Sequence, residues 1–162
     1  MASDTMRNME NSRQTPYLPA APGSLEHPCI ALANTLYTTP GGEQRDLLET
    51  PEIATEWAHE HHIVNNSYEL QPYCASRFIT FRYVIKELFD AYLNQRPPYP
   101  GALHAVNKTA HEAITMNALA WDAENQRYTR RVEDPLTQEV DYAIARIAYD
   151  AITLLTGEEA DK

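Results

Sequence analysis

The stretch Pro28–Trp57, PCIALANTLYTTPGGEQRDLLETPEIATEW, carries the features that decide the fold. It opens on a short apolar run, Ile30 to Leu36, interrupted only by Asn34 and Thr35. A turn signal follows at Pro40-Gly41-Gly42, and the chain re-enters with Arg45-Asp46-Leu47-Leu48. Thr50 is then a good helix cap, with Pro51 at the first helical position and Glu52 in the first turn. An amide and a hydroxyl side by side in an apolar run need hydrogen-bond partners if they are buried. Asn34 and Thr35 are therefore either fold-specifying or ligand-facing.

Outward from this stretch, the spacing predicts a helix over about 51–62, with Ile53, Ala54, Trp57, Ala58 and His61 on one face. A longer helix is expected over about 74–95 after a break at Pro72, its apolar stripe made by Phe78, Phe81, Ile85, Leu88 and Tyr92. Arg82, Lys86 and Asp90 are expected on another face of it. The stiff connector from Asn94 to Pro100 leads to a helix over about 100–114 that buries Leu103, Val106, Ala110 and Ile114. Residues 115–121 and 126–132 read as two strands around Asp122-Ala123-Glu124-Asn125. Asp134-Pro135 caps a last helix over about 135–155, carrying Leu136, Val140, Ala143, Ile144, Ile147, Ala151 and Leu154 inward, with Gly157 as the stop. The fold class expected is α+β and mostly helical, about four to five helices with one small antiparallel sheet or hairpin. Residues 1–24 read as a flexible tail, 25–158 as the domain and 159–162 as a second short tail.

The order Leu32-x-Asn34-Thr35, a glycine turn, Asp46-Leu47-Leu48, Thr50-Pro51-Glu52 and Trp57 resembles the ABATE domain, the N-terminal half of the CGNR zinc-finger proteins described as stress-induced transcription regulators. The likeness continues through Phe81-Arg82, Asn107, Asp134-Pro135 and Leu154-Leu155-Thr156, so it spans roughly residues 26–157. The sequence departs from the pattern at Ala31, where the family usually has an acidic residue, and in lacking the family's zinc finger after Leu155. The resemblance implies a ligand-sensing or partner-binding domain, here expected to stand alone without its own DNA-binding module.

At 162 residues the chain is one domain by length, long enough for a genuine core. It carries a net charge of −10, which opposes direct nucleic-acid binding, because phosphate neutralisation dominates that affinity. No apolar run reaches the ~20 residues needed to span a bilayer, and Met1–Glu10 has no apolar signal region, so a cytoplasmic protein is expected. Cys29 and Cys74 read as two small buried thiols.

Several clusters are candidates for chemistry. His59-Glu60-His61-His62 lacks the four-residue His spacing of a helical zinc motif, so a solvated helix end is the simpler reading. His104, Lys108 and His111 lie along one helix face, the two His about 10 Å apart by helix rise, with Asn107 on the neighbouring edge. Arg127, Arg130 and Arg131 divide between the two faces of a strand and suit cross-strand ion pairs. Tyr142, Arg146 and Tyr149 share one side of the last helix.

Two function classes follow. In the first, a sensor or regulatory domain binds a small molecule through Asn34, Thr35, Arg45, Asp46, Arg82 and Asn107. In the second, the same pocket supports a small acid–base enzyme of cyclase or isomerase type. There His104 or His111 moves the proton and Asn34, Arg45 or a Tyr polarises a carbonyl. No cofactor or metal is expected; haem or a metal ion held through His is a third alternative. The expected partner is a small-molecule ligand or substrate, with a homodimer left open and neither direct nucleic acid nor membrane expected.

Overall fold

Proline starts every described helix of this protein. In the computed structural model, which describes residues 21–115, 117–132 and 135–157, the described helices are α1 (Pro28–Ala33), α2 (Pro51–Glu60), α3 (Pro72–Leu93), α4 (Pro100–Thr115) and α5 (Pro135–Thr156). Proline fits the first helical turn because its missing N–H would find no intrahelical partner there. Pro72, expected as a break, is for that reason the beginning of α3, and Gln71 before it is extended with φ −87° and ψ 164°. Thr50 caps α2 as expected, its hydroxyl accepting from Ile53 N–H at 3.3 Å.

Among the described residues two antiparallel hairpins accompany the helices, so a second small sheet joins the one expected. Strands β1 (Leu36–Thr38) and β2 (Gln44–Asp46) pair Leu36 with Asp46, Tyr37 with Arg45 and Thr38 with Gln44. Gly42, at φ 83°, supplies the left-handed residue that closes their turn. Strands β3 (Asn117–Asp122) and β4 (Arg127–Val132) pair over six positions, from Asn117–Val132 to Asp122–Arg127. Asp122 organises that second turn by accepting from the Glu124 and Asn125 N–H groups at 3.1 and 3.2 Å.

The core lies where α3 and α5 meet the other helices. From α3 it takes Cys74, Ala75, Phe78, Phe81, Ile85, Leu88 and Ala91, and from α5 Val140, Ala143, Ile144, Ala145, Ile147, Ala148 and Ala151. Trp57 of α2 stands edge-on to Phe78 with ring centroids 5.8 Å apart. Helix α1 packs on both α3 and α5, and α4 packs along both as well. The start of α1 is fixed by α5: Asp150 accepts from Cys29 N–H at 3.0 Å and meets the His27 ring at 2.9 Å. At the far end of α3, Arg96 grips both Glu87 oxygens at 2.8 and 3.0 Å and Asp90 at 2.6 Å, while Glu87 also accepts from Tyr99 N–H.

Three expected core or surface placements shift. Leu103 is 47% exposed although it shares a helical face with the buried Val106 and Ala110, because it lies in the first turn of α4. Tyr92 is also exposed, in the last turn of α3. Arg82, expected on the polar face with Lys86, is 2% exposed. The expected cap at Asp134, the inward side chains of Ile114 and Leu136, and the tails over 1–20 and 159–162 lie outside the described residues or side chains.

Candidate functional site

A guanidinium in a core needs its charge and its N–H groups met, because leaving either unpaired costs several kcal/mol. Arg82 is placed in the core by helix geometry: it follows Phe78 by four residues and precedes Ile85 by three, so it shares their buried stripe. Its Nη1 donates to Asp46 Oδ1 at 2.7 Å and to Thr35 Oγ1 at 3.0 Å, and its Nη2 donates to Asp46 Oδ2 at 3.1 Å. The two-pronged contact with a carboxylate is the strong, directional form of this pairing.

Both partners are held in turn. Thr35 is fully buried and donates to the Leu32 carbonyl at 2.7 Å while accepting from Arg82. Its own carbonyl accepts from Leu47 N–H at 2.8 Å. Asp46 Oδ1 also accepts from Leu48 N–H at 2.9 Å. Burial alone would raise the Asp46 pKa, but the Arg82 hydrogen bonds and the Leu48 N–H outweigh it and hold the carboxyl below its ordinary range. The charge of Lys86 adds to the same direction. So the turn between α1 and β1, strand β2 and helix α3 are joined at one ionic node. Arg82 Nε is buried there and meets no acceptor among the described residues.

The other expected ligand-binding residues surround this node unequally. Asn34 precedes Thr35 in sequence but is exposed, its amide folded back onto the Ile30 carbonyl at 2.9 Å as the C-terminal cap of α1. Arg45, next to Asp46, is exposed and pairs with Glu43 at 2.9 Å. Asn107, His104 and His111 are exposed on α4 and stand outside the Thr35–Arg82–Asp46 network.

The remaining clusters have structural occupations. His59 Nε2 lies 2.7 Å from the Tyr68 carbonyl, and the His61 ring stands 5.9 Å from Trp57. His62 takes the left-handed position that ends α2, at φ 53°. Among the described residues no three His, Cys, Asp or Glu side chains are grouped to hold a metal ion. Arg127 pairs across the hairpin with Asp122 at 3.8 Å, and Arg146 lies over the Tyr142 ring at 5.8 Å. Cys29 is buried beside Asp150, and burial followed by that carboxylate pushes its thiol well up, which keeps it protonated and unreactive.

Sequence reasoning missed Asp150 and Glu87, since nothing local announces a carboxylate that caps a distant backbone. It did hold a signal for the buried Arg82 in the i, i+4 and i, i+3 spacings to Phe78 and Ile85.

The fold and node define a mostly helical α+β domain tied together by a buried arginine. A family model for ABATE, described as "putative stress-induced transcription regulator", matches residues 26–158, and the chain belongs to that family. No curated protein and no solved structure matches it. Leu32, Thr35, Asp46, Leu48, Thr50, Trp57 and Arg82, which carried the resemblance, are the residues that build the node and the core around it. Among the described residues no helix is long and apolar enough to cross a membrane.

Proposed function

We propose that this chain is a regulatory sensor domain that binds a small molecule carrying a hydrogen-bond acceptor oxygen beside the Thr35–Arg82–Asp46 node. The single observation behind this reading is Arg82 Nε, a cationic donor buried without an acceptor while its two terminal nitrogens are fixed. An unmet buried donor costs about 1–3 kcal/mol, and more when charged, so an acceptor oxygen brought to Nε is stabilised strongly. A carboxylate, a phosphate or a carbonyl each supplies one. Exposed Asn34 and Arg45, at the edge of the same junction, offer the polar contacts that would choose among them.

The node also suits a sensor because it joins three elements. A ligand that alters how Arg82 shares its protons between Asp46 and Thr35 changes the hold of β1–β2 on α3. The domain then reports the ligand by its own shape and needs no grip on nucleic acid, consistent with its charge of −10.

The test is direct. In protein labelled at arginine nitrogen, the Arg82 Nε–H resonance is followed while benzoate, inorganic phosphate or cyclohexanone is added. A saturable shift with one of the three, weakened in Asn34→Ala or Arg45→Ala, supports the reading. An Nε–H resonance indifferent to all three sinks it.

A further inference from the structure

The β3–β4 hairpin presents apolar side chains to solvent on one face. The register sets Trp121 opposite Tyr128, and Leu119 lies two residues before Trp121 on the same side. Leu119 is 76% exposed, Trp121 57% and Tyr128 71%, with the two rings edge-on at 5.1 Å. A two-stranded ribbon is marginal in water without a third strand or a helix against it. Here β4 is the strand that rests on α5.

The two outer edges of this ribbon differ in chemistry. Strand β4 reads RYTRRV, with Arg127, Arg130 and Arg131 in six residues, and charged residues blunt a free edge against pairing. Strand β3 reads NALAWD, with no Lys, Arg or Pro and its one charge at the end, so its edge carries no such defence. The charge balance points the same way. Three arginines against Asp122 and Glu124 make residues 117–132 slightly positive in a chain of net charge −10, so this hairpin carries none of the net negative charge by which two copies repel.

We propose that β3 is a self-association edge: a second copy of this chain pairs antiparallel along it, giving a four-stranded sheet with β3 of each copy at the centre. Opposed residues of an antiparallel pair point to the same face. A twofold axis at Ala120 therefore sets Leu119 of each copy opposite the partner's Trp121 and brings the two Ala120 residues together. An aromatic side chain carries about 150–250 Å². The exposed fractions of Leu119 and Trp121, the two that lie on β3 itself, thus leave roughly 250 Å² of apolar surface on each copy for the contact. The contact is below the ~1,200 Å² of a standard interface, which makes the dimer weak and concentration-dependent.

The experiment is sedimentation velocity on the full chain from about 1 to 500 µM, with Leu119→Lys, Trp121→Ser and, as control, Tyr73→Lys, a 74% exposed position on α3. Circular dichroism confirms that each variant is folded. The expected result is a monomer–dimer equilibrium whose Kd rises at least tenfold in both hairpin variants and stays put in the control. Ala120→Cys should then form an intermolecular disulfide on mild oxidation, since Cα atoms of opposed antiparallel residues lie about 4.5–5.5 Å apart. A chain monomeric throughout, a dimer untouched by Leu119→Lys and Trp121→Ser, or an Ala120→Cys variant that stays uncrosslinked while the dimer forms, overturns the proposal.

Discussion

The two hairpins of this protein make opposite use of their strands. The β1–β2 pair is only three residues long on each side, yet it is anchored by Asp46 on a buried guanidinium and by the Thr35 carbonyl on Leu47 N–H. The β3–β4 pair is twice as long, yet it rests on α5 through one strand and shows Leu119, Trp121 and Tyr128 to water. Ladder length therefore does not rank the two in rigidity. What distinguishes them is a core side chain reaching into the strand, and among the described residues only the first hairpin has one, Arg82 on Asp46.

The sharpest way to break this comparison is Arg82→Ala. It strips the charge partner from Asp46 and a donor from Thr35, so a loss of about 3–5 kcal/mol is expected in urea unfolding, of the size seen when one member of a buried pair is removed. A loss below about 1 kcal/mol would mean that the first hairpin is no better held than the second. Phe78→Ala, which removes the ring under Trp57, should cost a comparable ~3–5 kcal/mol without touching the node, and separates packing from electrostatics.

Acid sharpens the contrast next. Asp46 has its folded-state pKa depressed, so its contribution is fully present above the unfolded value near 3.9 and is lost as pH falls through the lower folded one. Wild type should accordingly lose stability below about pH 4 more steeply than Asp46→Asn, read from urea midpoints at pH 3 and pH 7. Parallel acid limbs would remove Asp46 from the account. Thr50→Ala, which unmakes only the cap of α2, should cost about 1 kcal/mol. At the bottom of the scale, Leu119→Lys should move monomer stability by less than about 0.5 kcal/mol, because its side chain is already in water.

Much of the fold was legible in the sequence because helix ends and apolar stripes are local. Thr50-Pro51-Glu52 announced α2, and the spacing of Phe78, Phe81, Ile85 and Leu88 announced the buried face of α3. The β3–β4 hairpin followed from two runs around Asp122. The β1–β2 ladder did not, since three-residue strands are too short for alternation to register and only the turn at Gly42 marked them. The candidate site was half legible. Thr35, Asp46 and Arg82 were named from the sequence, but Asn34 and Thr35 looked alike there and parted in the structure, one exposed and one sealed.

By itself the sequence determined where helices start, which faces are apolar, that the chain is acidic, and that it resembles a known regulatory family, because each is a property of neighbouring residues or of composition. Only the tertiary structure decided that residues 35, 46 and 82 meet, that Asp150 holds the start of α1 from 121 positions away, and that one hairpin is anchored while the other stands open. Contacts between distant positions depend on how helices cross and where strands land. Those are settled by the packing of the whole core and leave no local trace.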